Sequence, residues 1–87
     1  GHANELKGGK RPMHTIIPAI LREKSHVIMP FGVMGGQYQS HGHARFLSNI
    51  SDFGLSPQDS IDAPRLFVED GKLQVARGYA PEVHQGL

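Results

Sequence analysis

Two adjacent glycines are the residues whose types and spacing speak most clearly of chemistry. In Phe31-Gly32-Val33-Met34-Gly35-Gly36-Gln37 an apolar run passes straight into a helical pattern through Gly35 and Gly36. A glycine pair at that junction leaves backbone N–H groups bare at the positive end of the helix, with no Cβ to hold a ligand away. Such a turn suits an anion, or the oxyanion that develops when a carbonyl is attacked. The same pattern also serves a tight strand-to-helix turn that needs positive φ and does no chemistry. Neither Walker nor dinucleotide-binding glycine spacing surrounds it.

His14 and Thr15 form a second polar point, set between Arg11-Pro12 and a β-branched apolar run, where they can face a pocket or act as ordinary structural residues. His41 and His43 invite a metal reading, yet residues two apart on a helix point about 200° away from each other, so they do not share an ion there. No acid-bearing zinc motif accompanies them, and no metal or cofactor is expected. Serine, histidine and aspartate are all present without nucleophile-elbow spacing, and Ser40 reads as a solvent-facing helix residue. Gly35-Gly36-Gln37 also matches the tripeptide that peptide-release factors place in the ribosome, but a formal net charge of +1 makes no electrostatic case for nucleic acid.

The elements that must position these residues follow from periodicity and breakers. Thr15 to Leu21 and His26 to Val33 read as two strands joined by Arg22-Glu23-Lys24-Ser25, an antiparallel hairpin, with Pro18 implying an edge, bulge or kink. Their continuous apolarity predicts that both faces are covered. Tyr38, Gly42, Phe46, Ile50 and Phe53 then recur at spacings of one helix face, with Gly54 as C-terminal cap and Leu55 as its apolar contact. Ser56-Pro57-Gln58-Asp59 starts a short helix that must stop near Ala63, before Pro64. Leu66 to Val68 and Leu73 to Val75 flank Glu69-Asp70-Gly71-Lys72, whose Asp-Gly pair predicts a hairpin turn. Ala80-Pro81-Glu82 opens another helix. The order is strand, strand, long helix, short helix, strand, strand, helix, which is an α+β chain and not an alternating parallel sheet.

Length and composition bound the possibilities. Eighty-seven residues make one small domain with a thin core. Eleven glycines and six prolines exclude a coiled coil or an all-helical bundle. There is no cysteine, so disulfides and thiolate catalysis are excluded and the compartment is not legible, periplasmic, extracellular or cytoplasmic. The apolar runs are far shorter than the ~18 residues of a spanning helix, so no membrane partner is expected. The Lys7-Gly8-Gly9-Lys10-Arg11 cluster reads as a solvated turn in an extended lead-in.

Three blocks in order carry a family resemblance: Lys10-Arg11-Pro12-Met13-His14-Thr15-Ile16-Ile17-Pro18, then Phe31-Gly32-Val33-Met34-Gly35-Gly36-Gln37, then Ala63-Pro64-Arg65. Together they resemble the γ-glutamyltranspeptidase family of N-terminal-nucleophile hydrolases, which cleave themselves into a large and a small subunit. The resemblance runs through nearly the whole chain, on the C-terminal part of the small subunit. It implies a single partial domain over residues 1–87, an incomplete layered piece of an αββα sandwich. It also implies that Gly35 and Gly36 supply the oxyanion hole and that His14 and Thr15 line the substrate pocket.

This sequence departs from the family at two points. Where the transpeptidases follow Lys-Arg-Pro-Leu with a substrate-binding Ser-Ser pair, it has His14-Thr15, so it is more similar to the acylase-like branch. The family's nucleophilic threonine has no counterpart here, since Thr15 lies in the substrate-binding block and the first residue is Gly1. The resemblance therefore implies part of a γ-glutamyltransferase-like acyl transferase or hydrolase. It would cleave γ-glutamyl or related small acyl amides through a threonine acyl-enzyme, working with a large subunit and an upstream small-subunit segment. Alone, the 87 residues are expected to be inactive and to self-associate. The rival reading is a non-catalytic binding or assembly module in which Gly35-Gly36 is only a turn.

Overall fold

A computed structural model describes residues 1–87, which divide into two compact units, Gly1–Gln39 and Ser40–Leu87. The elements are β1 (Ala19–Glu23), β2 (His26–Phe31), a 3₁₀ turn (Gly36–Tyr38), α1 (Gln39–Ser51), α2 (Pro57–Asp62), β3 (Leu66–Glu69), β4 (Lys72–Val75) and α3 (Pro81–Gly86). The chain is thus α+β with two antiparallel strand pairs, β1–β2 and β3–β4. No helix is long and apolar enough to cross a membrane.

In the first unit, β1 and β2 pair from Ala19 opposite Phe31 to Glu23 opposite His26, and the register shifts between Leu21 and Arg22. The turn is shorter than expected, because Arg22 and Glu23 stay in the ladder and only Lys24, at φ 53, and Ser25 lie between the strands. The first strand also starts later than its β-branched run predicts. Thr15 to Pro18 lie outside the ladder; Pro18 has no N–H to give, and the N–H of Ile17 goes to a side chain, the Gln39 amide. The expectation that both hairpin faces are covered is not met within these residues. Ile16, Ile20 and Val27 are 78%, 61% and 61% exposed. The lead-in is exposed throughout, with the Lys7 ammonium 3.2 Å from the Glu5 carboxylate and Lys10 Nζ donating to the carbonyls of Ala3 and Glu5.

In the second unit, local signals and structure agree closely. Gly54 takes φ 67 after α1, and the N–H of Leu55 donates to the Asn49 carbonyl at 2.9 Å. Ser56 caps α2: its Oγ accepts from the Asp59 N–H at 3.1 Å and donates to Asp59 Oδ2 at 2.7 Å, with Pro57 at the first turn. Such a cap stabilises by about 1 kcal/mol. Asp70 and Gly71, at φ 50 and 72, both adopt the left-handed conformation that a two-residue hairpin turn demands, closing β3–β4 in unbroken register. Ser60 is buried and donates its Oγ–H to the Phe46 carbonyl at 2.9 Å, and Phe46 is itself buried. Phe53, expected on the buried face of the long helix, is exposed instead, because α1 ends at Ser51 and Phe53 lies in the turn beyond it.

Candidate functional site

The first hairpin turns the chain back on itself, and the two sequence motifs meet beyond the end of its ladder. The β1–β2 ladder reaches no further out than Ala19–Phe31, and beyond it Thr15 and Gly36 are joined through one side chain that bonds both of their carbonyls. Two blocks twenty residues apart in the chain thereby become neighbours, and Gly32 lies against the backbone between them, its missing Cβ 3.8 Å from the Ile17 carbonyl. The ladder ends at Ala19, so something else must hold the outer stretch.

That link is Gln39, the first residue of α1 and a buried side chain of the first unit. Its Oε1 accepts from the Ile17 N–H at 2.9 Å, and its Nε2 donates to the Thr15 carbonyl at 3.0 Å and to the Gly36 carbonyl at 3.2 Å. The amide is used at both ends, and this set of partners fixes which end is which: an N–H faces the oxygen and two carbonyls face the nitrogen.

The glycine turn has the conformation its sequence demanded. Gly35 takes φ 127 and Gly36 φ 55, both in the range that side chains disfavour. Gly35 is doubly constrained, since a Cβ there would sit 3.2 Å from the Tyr38 ring. Its carbonyl accepts from the Tyr38 N–H at 2.9 Å. A trans peptide directs N–H opposite to C=O, so that bond turns the carbonyl into the 3₁₀ turn and aims the Gly36 N–H outward. Gly36 is exposed, with nothing within 4 Å of where its Cβ would stand. The turn thus carries the Gly36 N–H on an exposed residue and directs it away from the body of the 3₁₀ turn.

The remaining predicted residues are placed as follows. His14 and Thr15 are both exposed, and the Thr15 carbonyl shares the Gln39 amide with the turn. His41 lies edge-on against the Phe67 ring, centroids 5.1 Å apart, in the second unit, and Ser40 is exposed as expected. Ala63 caps α2, the Pro64 carbonyl accepts from the Tyr79 hydroxyl at 3.0 Å, and the Arg65 carbonyl accepts from the Ala76 N–H at 2.8 Å. Gln39 escaped sequence reasoning. The signal that reveals it is the set of buried positions Gln39, Gly42, Phe46 and Asn49, spaced three, four and three along α1, with a polar residue at each end.

The comparisons with known proteins place this α+β chain and its glycine turn among N-terminal-nucleophile hydrolases. The chain belongs to the γ-glutamyltranspeptidase family, whose profile matches residues 1–87. It is 31% identical over 64 residues to the glutathione hydrolase-like YwrD proenzyme of Bacillus subtilis, covering 74% of this chain and 12% of that protein. It is 36% identical over 64 residues to the oxamate amidohydrolase proenzyme of Klebsiella pneumoniae, covering 74% of this chain and 12% of that one. Among solved structures, the cephalosporin acylase from Bacillus halodurans superposes with a TM-score of 0.82 at 46% identity, covering 98% of this chain and 16% of that chain. The chain thus spans about an eighth of the length of these curated relatives.

Proposed function

We propose that these residues supply the oxyanion-stabilising turn and part of the acyl pocket of an enzyme that hydrolyses or transfers small acyl amides through a threonine acyl-enzyme. The observation that carries the reading is the Gly35–Gly36 turn: two positive φ values, open space where a Gly36 Cβ would stand, and the Gln39 amide that ties the turn to the Thr15 carbonyl. The relatives supply the reaction class, since glutathione hydrolase, oxamate amidohydrolase and cephalosporin acylase are all named for cleaving an amide.

The chemistry assigns each part a task. A threonine Oγ from the remainder of the enzyme, its proton taken by its own α-amine, attacks the amide carbon. The carbonyl π pair moves onto oxygen, and the N–H groups of Gly35 and Gly36 meet the charge as it develops. Collapse re-forms the carbonyl and expels the amine, which takes the proton, leaving an acyl ester on the threonine. Water then attacks the ester for hydrolysis, or a second amine for transfer. The same donors stabilise the second oxyanion, and its collapse expels the threonine Oγ, which recovers its proton from the attacking group through the α-amine. A missing donor at such a site costs about 10²–10³ in kcat.

His14 and Thr15 set the acyl specificity. A serine pair offers two small hydroxyls that donate to and accept from a substrate carboxylate, whereas imidazole is bulkier. This pair therefore disfavours a free γ-glutamyl group and admits a plain acyl chain, in keeping with the 46% identity to a cephalosporin acylase. The test is kcat/KM for glutathione-like and plain acyl-amide substrates in the full-length enzyme, before and after His14→Ser with Thr15→Ser. The substrate ratio should move toward the γ-glutamyl donor. An unchanged ratio contradicts the assignment.

A further inference from the structure

We propose that Gln39 is a positioning residue, an amide clamp that holds the specificity segment His14–Thr15 in a fixed relation to the glycine turn. The inference rests on the functional reading above and adds a residue to it. Its basis is that one buried side chain bonds both partners: Nε2 donates to the Thr15 carbonyl and to the Gly36 carbonyl, while Oε1 accepts from the Ile17 N–H. Anchoring the Thr15 carbonyl and the Ile17 N–H fixes the peptide groups on either side of Ile16, and hence the direction in which Thr15 leaves the backbone. Anchoring the Gly36 carbonyl fixes the peptide plane that follows the outward N–H. The Tyr38 N–H, bonded to the Gly35 carbonyl, fixes the plane that contains that N–H. The turn and the acyl pocket are thereby set in one frame.

Glutamine suits the task because the clamp needs two donors and an acceptor at the end of a two-methylene stem. Asparagine is one methylene short. Glutamate keeps the length and the acceptor, but places a carboxylate against two carbonyl oxygens. Leucine fills the space and leaves the Thr15 carbonyl and the Ile17 N–H without their partner, while the Gly36 carbonyl keeps only the backbone N–H of residue 39. Because the clamp joins the turn to the pocket, its loss moves rate and specificity together. A substitution that merely weakens packing lowers stability and leaves both alone.

The experiment uses the full-length processed enzyme carrying Gln39→Glu, with Gln39→Leu as the second variant and Ser60→Ala as a packing control in the second unit. Two readouts are taken. Amide hydrogen exchange over residues 13–19 reports the clamp itself, independently of catalysis. Steady-state kinetics on a plain acyl amide and on glutathione report the site. We expect faster exchange at Ile17 and a kcat lower by up to about 10²-fold, the scale of an ångström-sized misplacement of catalytic groups. A changed ratio of kcat/KM between the two substrates is expected with it. Ser60→Ala is expected to lower the melting temperature with the ratio unmoved. Unchanged exchange at Ile17 in whichever variant folds overturns the clamp. Faster exchange with kcat and the substrate ratio unmoved overturns the positioning role. Failure of the underlying functional reading is read separately, with Gln39 intact, from the His14→Ser, Thr15→Ser pair.

Discussion

The two hairpins are nearly equal in length and are built by different means. β3–β4 keeps one register from end to end and closes on Asp70 and Gly71, both left-handed, as a two-residue turn requires. β1–β2 slips between Leu21 and Arg22, holds a left-handed lysine at its tip, and past Ala19 gives up its ladder to a glutamine side chain. The buried side chains differ in kind as well. The second unit buries Phe46 with Asn49 and Ser60 and closes the serine hydroxyl onto the Phe46 carbonyl, whereas the first unit buries the Gln39 amide and no apolar side chain to the same degree. Local rules agree with one another in the second unit and conflict in the first. Conflicts of that sort gather where a structure is shaped for chemistry, and here they surround the glycine turn and its partner segment.

Three substitutions sharpen this comparison, after one expression experiment that carries the largest effect. The 87 residues expressed alone should hydrolyse neither glutathione nor a plain acyl amide, since the proposed nucleophile belongs to the remainder of the enzyme. They should also associate through the exposed hairpin face, where Ile20 and Val27 are each 61% exposed. Light scattering at high micromolar concentration checks this, and Ile20→Lys should reduce association more than Leu73→Lys. Measurable turnover, or a cooperative monomer, breaks the picture.

Next come three glycine-to-alanine changes in the full-length enzyme, compared by kcat and melting temperature. Gly35→Ala meets both φ 127 and the Tyr38 ring, so it should cost about 1–3 kcal/mol in backbone strain and deplete kcat most. Gly36→Ala, at φ 55 in open space, should cost about 1 kcal/mol and keep its N–H, so kcat falls modestly. Gly71→Ala, at φ 72 and equally open, should cost a similar amount of stability with kcat unchanged. Equal loss of kcat at Gly36 and Gly71 would erase the distinction between the hairpins.

Much of the second unit was legible in the sequence because its signals are local. Gly54 beyond a helix, Ser56-Pro57 before one, Pro64 as a stop and Asp70-Gly71 between apolar runs each specify backbone geometry within a few residues. The Gly35-Gly36 turn was legible for the same reason, since such a pair marks backbone that takes positive φ or lets a ligand approach closely. What could not be read was non-local. The β-branched run Thr15–Pro18 looks like a strand because β-propensity reports a fit to buried surface rather than a ladder partner. Its hydrogen bonds are made instead with a residue more than twenty positions away, whose identity no local pattern announces. The roles proposed for Gly35, Gly36, His14 and Thr15 rest on the family resemblance, and the Gln39 amide, bonded to the Thr15 and Gly36 carbonyls, joins their two segments.

The most direct test of the account replaces the Gly35–Gly36 amide by an ester, which exchanges the Gly36 N–H for oxygen and leaves φ 55 accessible. Proline at this position would remove the same N–H, but its ring fixes φ near −65° and would unmake the turn. With the ester in the full-length enzyme, kcat on a plain acyl amide should fall by about 10²–10³ while the protein stays folded. A folded ester variant that turns over at the native rate would contradict the assignment of this turn as the oxyanion hole.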